Sequence, residues 1–319
     1  MPVFQDGAIN MTSLTVPDLY IQIVPPAVSN LNGVATDILG IVGTATWGPV
    51  GAPATVSDMA SYKNIFGPVK TDKYDAGTAV EAAIKQGASN MRVIRVTDGT
   101  DAAASIALKD TVTTPVTGAT LTSKYTGTYG NNITAKLSAG SKASTFKVTI
   151  AMPNSVPEVF NNIAGSGATF WQNLVNAVNL GLSGVRGPSN LVVATIGTST
   201  ATPATSTYTA SGGTDGKTTI TGSTLLGSDT IPRKGMYALR NTKASIALLA
   251  DCDSTANWTD QVTFGLAEGI YMILVGPCGQ SVDDAVSAKS TAGIDSYAAK
   301  VLLGDWCYYN DTTKDRKST

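Results

Sequence analysis

Residues 78–96 read TAVEAAIKQGASNMRVIRV, and this stretch decides the fold class. The part up to Gly87 is typical of an Ala-rich helix, and the final MRVIRV is typical of a β-branched strand. A short apolar run upstream, DILGIVGTA at 37–45, predicts a buried strand. A strand, a helix and a second strand in this order predict a mainly parallel sheet with helices packed on it.

The same α/β pattern continues on both sides of this stretch. SDMASYKNIFG predicts a helix with Ser57 as its N-cap and Gly67 as its stop. After about residue 220, buried strands are predicted at ASIALLAD, GIYMILVG and AAKVLLGDW. Between the last two, Ser281 and Asp284 have the spacing of a capping box, which predicts another helix. Trp306, Tyr308 and Tyr309 are expected to end the last core strand, with an interface role as the alternative.

Residues 98–213 have a different amino-acid composition, which is rich in Thr, Ser, Ala and Gly and has few charged residues. TFKVTIAM at 145–152 alternates apolar and polar residues, which predicts a half-buried strand. ATFWQNLVNAVNLGL at 168–182 repeats apolar residues at helical spacing. We interpret 98–213 as a β-rich, sandwich-like domain inserted into the α/β fold, with 198–211 as a loop or low-complexity linker.

The composition excludes several kinds of protein. The chain has 319 residues, a net charge of −1 and no histidine. Without histidine there is no Ser-His-Asp or Cys-His site and no zinc site that needs imidazole, so we expect no catalytic residues, metal or cofactor. Because no basic stripe stands out, nucleic acid is not an expected partner.

The three cysteines, Cys252, Cys278 and Cys307, form no CxxC pair. They are predicted to be buried thiols, with a cross-link between copies of the chain as the alternative. The N-terminal MPVFQDGAIN lacks the features of a signal peptide, and the apolar runs are too short to span a bilayer. We therefore expect no direct insertion into a membrane.

Two arginines and one glycine-rich loop offer possible sites. Arg92 and Arg95 in MRVIRV predict ion pairs or interface contacts, with an anionic-ligand site as the alternative. SGGTDGKT at 211–218 differs from a phosphate-binding loop at Ser211, which stands where the first glycine belongs. The surrounding residues are not those of a strand followed by a helix, so we interpret the glycines as a turn.

Near the N-terminus, PDLYIQIVPP at 17–26 predicts a short strand that Pro25 and Pro26 end. The strand covers Leu19, Tyr20, Ile21, Gln22, Ile23 and Val24. Since no hairpin partner lies beside it in the sequence, we expect it to pair with a distant segment or with another chain.

Five segments, in this order, resemble the tail sheath proteins of contractile-tailed bacteriophages. They are PDLYIQIVPP (17–26), GVATDILGIVGTATWGPVGAPATVSDMASYKNIFGP (33–68), EAAIKQGASNMRVIRV (81–96), KYTGTYGNNITAKL (124–137) and ASGGTDG (210–216). The resemblance runs over roughly residues 16–310. It implies a structural subunit that forms a helical tube of stacked rings around a tail tube and contracts to drive that tube through the host envelope.

The resemblance also implies where the chain acts and what it contacts. The fold would be subtilisin-like but not catalytic, and the location would be the virion, after assembly in the host cytoplasm. The partners would be other copies, the tail tube, the baseplate and the tail terminator. Leu19–Val24 would exchange as a strand between subunits. The turn formed by Gly212, Gly213, Thr214, Asp215 and Gly216 would lead the chain out of the inserted domain.

The resemblance divides the chain into four parts: an arm with the exchange strand at 1–26, the α/β domain at 27–97 and 214–319, and the inserted domain at 98–213. It also implies a further C-terminal segment with a second arm. The sequence ends at Thr319 without that segment, so we expect the chain to be either a piece of a longer protein or a short member of the family. Three alternatives remain. They are the sheath of a bacteriocin or secretion system, a nucleotide-binding enzyme that uses 211–218, and a β-rich surface adhesin.

Overall fold

The computed structural model describes residues 37–302 in full, together with the backbone of four short strands at 3–6, 20–23, 308–310 and 315–316. The chain divides into two compact units, Met1–Ala35 and Thr36–Thr319. The first unit holds the strands β1 (Val3–Asp6) and β2 (Tyr20–Ile23). The other described elements belong to the second unit.

In the first unit, β1 and β2 pair in parallel, with Val3 opposite Tyr20 and Asp6 opposite Ile23. The predicted strand is therefore confirmed over Tyr20–Ile23, while Leu19 and Val24 lie outside the described residues. Strand β2 thus pairs with a separate segment of its own chain and not in a hairpin, as expected, and pairing with another chain stays a prediction. Parallel pairing needs a connection of roughly a dozen residues or more rather than a hairpin, and the stretch 7–19 is long enough to provide it.

The second unit alternates strands and helices along the chain. Its described strands are β3 (Leu39–Gly43), β4 (Pro53–Val56), β5 (Met91–Arg95), β6 (Ala103–Lys109), β7 (Thr117–Thr126), β8 (Thr134–Ala139), β9 (Phe146–Ala151), β10 (Glu158–Ile163), β11 (Val192–Ile196), β12 (Thr207–Thr209), β13 (Ile246–Leu249), β14 (Tyr271–Val275), β15 (Ala299–Leu302), β16 (Tyr308–Asn310) and β17 (Asp315–Arg316). Its described α-helices are α1 (Met59–Phe66), α2 (Ala76–Lys85), α3 (Gly167–Leu180), α4 (Gly222–Leu226), α5 (Trp258–Glu268) and α6 (Val282–Ala292).

A six-stranded sheet in the order β15-β14-β13-β3-β5-β4 forms the α/β part of this unit. The strands from β15 to β5 are parallel to their neighbours, whereas the edge strand β4 runs antiparallel to β5. The predicted mainly parallel sheet is thus confirmed. The strand β4 was not predicted; it begins at Pro53, and proline within a sheet is confined largely to edge strands and strand starts.

Helices cover both faces of this sheet. On one face Ile41 and Val93 share a hydrophobic cluster with residues of α1 and α2, and on the other Val42 and Ile94 share a cluster with residues of α5. Neighbouring residues of a strand, such as Ile41 and Val42, point to opposite faces of the sheet. Because helices cover both faces, both of these residues must be apolar. This arrangement explains the near-continuous apolar runs in DILGIVGTA and MRVIRV.

Side-chain caps fix the beginnings of α1 and α6. The N-cap of α1 is Asp58 and not Ser57 as predicted, because the Asp58 carboxylate accepts from the Ser61 N–H at 2.7 Å. The Ser61 hydroxyl oxygen accepts from the Asp58 N–H in return, which completes a capping box. The predicted capping box of Ser281 and Asp284 at α6 is confirmed.

Residues 103–209, here called the β-rich segment, surround a hydrophobic cluster that also includes Trp47. This segment contains the three-stranded sheet β11-β7-β6 and the four-stranded sheet β10-β9-β8-β12, both antiparallel. The predicted strand at 145–152 is β9, and the predicted helix at 168–182 is α3. Trp171 and Leu174 of α3 are fully buried against the two sheets.

At the C-terminal end, Tyr308 and Tyr309 belong to β16, which pairs with β17 in a sheet of its own. The expectation that they end a core strand is wrong, since the last strand of the large sheet, β15, ends at Leu302. Trp306 lies outside the described residues. Among the helices that the structure describes, none combines the length and the apolar character that a membrane span requires.

Candidate functional site: the crossover between the sheets

The chain passes from the large sheet into the β-rich segment after β5 and returns just before α4. Two stretches meet where this happens, 97–102 and 212–217, and together they are called the crossover. The Asp98 N–H donates to the Gly216 carbonyl at 2.7 Å. Ala102 and Thr214 exchange two backbone hydrogen bonds, each of 3.1 Å. The outgoing and returning chains are therefore paired directly with each other.

Glycines in the returning stretch are required by backbone conformation and by close approach. Gly212 and Gly216 have φ of +86° and +62°, a region that residues with a Cβ adopt rarely. A Cβ on Gly216 would lie 2.7 Å from the Asp101 nitrogen, and one on Gly213 would lie 2.4 Å from the Gly127 carbonyl oxygen. The structure thus places the predicted turn residues where the returning chain touches the outgoing chain.

Arg95, at the end of β5, joins the crossover to both sheets. It is 0% exposed, and one terminal nitrogen donates to the carbonyls of Gly48 at 2.8 Å and Thr126 at 2.6 Å. The other terminal nitrogen donates to the Asp215 carbonyl at 3.2 Å. Burial lowers the pKa of Arg95, and Asp101 and Asp215 oppose that shift. Arginine suits this position because its rigid fork can serve several acceptors at once.

The Asp215 side chain forms the second buried link. It is 6% exposed and accepts from the Thr128 N–H at 2.6 Å and the Thr128 hydroxyl at 2.8 Å. Next to it, Asn131 donates to the Gly213 carbonyl at 3.0 Å and accepts from the Gly213 N–H at 2.8 Å. Thr128 and Asn131 lie in TGTYGNN, directly after β7. Hydrogen bonds between side chain and backbone therefore join the turn to this motif, although the two lie about eighty residues apart in the sequence.

Asp98 adds a third link nearer the surface. Its carboxylate accepts from the N–H and hydroxyl groups of Thr100 and Thr219. These hydrogen bonds, first of all that from the Thr100 hydroxyl, hold the pKa of Asp98 well below its usual range. Burial raises the pKa of Asp101, but hydrogen bonds from Thr126 and Thr97 outweigh it and lower the value.

Lys217, the residue that suggested a phosphate-binding loop, makes an ion pair with Asp72 and lies 3.9 Å from the Asp215 carboxylate. The expectation that no helix follows this loop is wrong in detail, because α4 begins at Gly222. This helix has five residues and starts well after Lys217, unlike the helix that directly follows a phosphate-binding loop. The crossover therefore gives no support to the nucleotide-binding alternative.

The remaining predicted site residues lie away from the crossover. Among the exchange-strand residues, Tyr20–Ile23 form β2 in the first unit. Cys252 is a free thiol, 1% exposed, and burial raises its pKa to about 11. Cys278 is half-buried, and Cys307 lies outside the described residues. The prediction of a buried thiol fits Cys252, and the alternative of a cross-link between copies through these cysteines is not tested.

Sequence reasoning missed the roles of Arg95, Thr128 and Asn131. Arg95 was predicted to make an ion pair or an interface contact, with an anionic-ligand site as the alternative. Its guanidinium instead donates to main-chain carbonyls, and the interface contact stays a prediction. The signal for Thr128 and Asn131 was their place in KYTGTYGNNITAKL, one of the segments that carried the resemblance. In the described part of the chain, no cluster of three or more metal-ligating side chains occurs. The crossover can hold two sheets in a fixed relation, and its chemistry suits mechanical support.

Comparisons with known proteins bear on the fold. No model of a known protein family matches the sequence, and no curated protein matches it significantly. Two solved structures do match: the sheath tail protein of Listeria innocua, at 16% identity and a TM-score of 0.52, and that of Desulfitobacterium hafniense, at 17% identity and a TM-score of 0.52.

The first match covers 75% of this chain and 47% of the other, and the second covers 90% and 56%. The chain therefore spans about half the length of the two solved structures. At this level of identity the likeness concerns the fold, which the five ordered sequence segments had also predicted. The chain has the fold of the sheath tail proteins.

Proposed function

We propose that this protein is the structural subunit of a contractile phage tail sheath. The observation that carries the proposal is the fold shared with two sheath tail proteins over 75% and 90% of the chain. In this role, copies of the chain assemble in the host cytoplasm as stacked rings around a tail tube. Contraction of the tube of subunits drives the inner tube through the host envelope. The sheath of a bacteriocin or secretion system is the nearest alternative.

The domain organisation that we propose follows the crossover. The α/β part, at 27–97 and 214–319, is subtilisin-like in fold but does not catalyse a reaction, and residues 98–213 form an inserted domain. Two features support this division: the β-rich segment has its own hydrophobic cluster, and the outgoing and returning chains pair at one place. The crossover then transmits force between the two parts as subunits slide during contraction.

The first unit links neighbouring subunits in this proposal. A two-stranded sheet such as β1-β2 has outer edges whose main-chain groups can pair with a strand from another copy. A heterologous contact of this kind that does not close yields a helical filament. The tail tube, the baseplate and the tail terminator are the further partners that we propose.

Electron microscopy of the purified full-length protein tests the proposal. We expect helical tubes or stacked rings from the wild type. Deletion of residues 1–24 is expected to abolish them, and so is the Gln22→Pro substitution, because proline removes a ladder hydrogen bond from β2. The matched control is Gln22→Thr, which keeps a β-favouring residue at the same place.

The outcomes separate two claims. A wild-type protein that remains monomeric under all assembly conditions contradicts the sheath function itself. Normal tubes from the deletion variant contradict strand exchange through the first unit and leave the sheath function standing.

A further inference from the structure

The two sheets of the β-rich segment are joined by backbone bridges into one series of strands, here called the open sheet, which has two outer strands. Just after β12, Ser211 exchanges backbone hydrogen bonds of 2.9 and 3.1 Å with Ser105 of β6, which joins the two sheets. The strands therefore follow one another in the order β10-β9-β8-β12-β6-β7-β11. Helix α3 packs against the two strands at the ends of this series, β10 and β11.

The outer strand β11 has the properties of a strand that attracts another strand. Residues 191–196 read LVVATI, without a charge, a proline or a glycine. Within this strand Val193 is 48% exposed and Ile196 is 51% exposed. Uncharged β-branched segments at a sheet edge are templates for pairing between copies.

Three main-chain groups on the outer edge of β11 are nevertheless occupied by side chains of the same molecule. The Leu191 carbonyl accepts from the Lys124 N–H of β7 at 2.8 Å, so the alternate residues Val192 and Ala194 direct their main-chain groups away from β7. The Ala194 N–H donates to Asn179 Oδ1, and Asn179 Nδ2 donates to the Ala194 carbonyl, both at 2.8 Å. The Val192 N–H donates to Ser189 Oγ at 3.1 Å.

The Asn179 carboxamide therefore imitates a peptide group of a neighbouring strand. Its position is fixed by α3, whose Trp171 indole N–H donates to the Ala201 carbonyl at 3.1 Å. The same helix binds the other end of the open sheet, since Asn173 donates to the Ala164 carbonyl at 2.9 Å just after β10. Ser189 is held by a hydrogen bond that it donates to the buried Glu158 carboxylate of β10.

We propose that Asn179 blocks the outer edge of β11 and so prevents a second copy of this chain from pairing its own residues 191–196 with that strand. The partner is a second copy because an uncharged segment can pair with itself in antiparallel fashion without like charges meeting. This role of Asn179 confines strand addition to other edges of the molecule. The role does not depend on the proposed sheath function, since Asn179 acts on any copy that meets another at high concentration.

The test compares full-length variants for self-association by light scattering and thioflavin T binding. In Asn179→Ala both hydrogen bonds to Ala194 are lost, and we expect self-association to strengthen about tenfold relative to the wild type. The matched control is Asn176→Ala on the same helix, whose side chain bonds to Gln172 and not to β11. This control should behave as the wild type does.

A second substitution separates edge pairing from unfolding. Adding Val193→Lys to Asn179→Ala places like charges at the new interface, so it should reverse the association. The proposal is overturned if folded Asn179→Ala associates no more than the wild type, or if Val193→Lys leaves its association unchanged. Should Asn179→Ala not fold, Asn179→Ser takes its place with the same expected results. Because the readout is the difference from Asn176→Ala, absence of wild-type tubes would contradict the sheath function without affecting this comparison.

Discussion

Arg95 donates hydrogen bonds to segments that lie 31, 47 and 120 positions away in the sequence. Replacing it with methionine leaves the carbonyls of Gly48, Thr126 and Asp215 without this donor in a buried place. We expect Arg95→Met to lower the free energy of unfolding by about 3 kcal/mol or more, measured by urea denaturation. The control Arg92→Met, at a half-buried arginine bonded to Asn90, should cost about 0.5 kcal/mol. Equal losses in the two variants would contradict the anchoring role.

The carboxylates of the crossover predict how stability depends on pH. The pKa values of Asp98 and Asp101 are lowered by the fold, so their contribution is fully present above their unfolded-state pKa of about 4. That contribution is lost as the pH falls through the lowered values. Thermal melts should therefore show constant stability from these groups at neutral pH and a loss below about pH 4.

Asp98→Asn should make this acid-induced loss less steep, since the neutral amide no longer titrates. The matched control is Asp37→Asn, at an exposed aspartate outside the crossover. The role of Asp98 would be contradicted if Asp98→Asn left the acid-induced loss of stability unchanged while Asp37→Asn made it less steep.

Cys252 is predicted to be inert in the folded chain. Burial raises its pKa to about 11, and the thiol accepts weak hydrogen bonds from Asn257 and Gln261. Because the thiolate is the reactive form, alkylation at pH 8 should leave Cys252 unmodified until the protein is unfolded. Mass spectrometry of native and denatured samples measures this, with the half-buried Cys278 as the internal comparison. Modification of Cys252 at least as fast as that of Cys278 in the native state would show the burial to be wrong.

At the scale of elements, α3 packs closely against β7 at a glycine of that strand. A Cβ on Gly118 of β7 would lie 2.0 Å from the Trp171 ring. Gly118→Ala should therefore displace the ring and lower the free energy of unfolding by about 1–3 kcal/mol, with a change in tryptophan fluorescence. Gly187→Ala is the matched control, because a Cβ there meets nothing within 4 Å. An unchanged fluorescence spectrum in Gly118→Ala would contradict this packing.

The elements also show how far the sequence could predict the fold. Strands β3 and β5 were predictable because burial on both faces demands unbroken apolar runs. Strands β13, β14 and β15 were predictable from their apolar runs, although the edge strand β15 has no fully buried residue. The edge strand β4 was not, since Pro53–Val56 has only Val56 buried and carries little pattern. The hydrogen bonds of Arg95 could not be predicted either, because sequence spacing does not show which distant carbonyls accept from a given guanidinium.

At the scale of the whole molecule, the large sheet and the β-rich segment of the second unit are joined at the crossover. The five ordered segments had predicted the fold that the chain shares with the two solved sheath tail proteins. What could not be predicted is the pairing of β2 with β1, because nothing in the composition of 3–6 marks it as a partner.

A helical reconstruction of the assembled protein by cryo-electron microscopy tests the central claim most directly. We expect a tube of stacked rings in which the strand at 20–23 pairs with a strand of a neighbouring copy. A tube in which 20–23 contacts only its own chain, or a preparation that forms no tube, would contradict it.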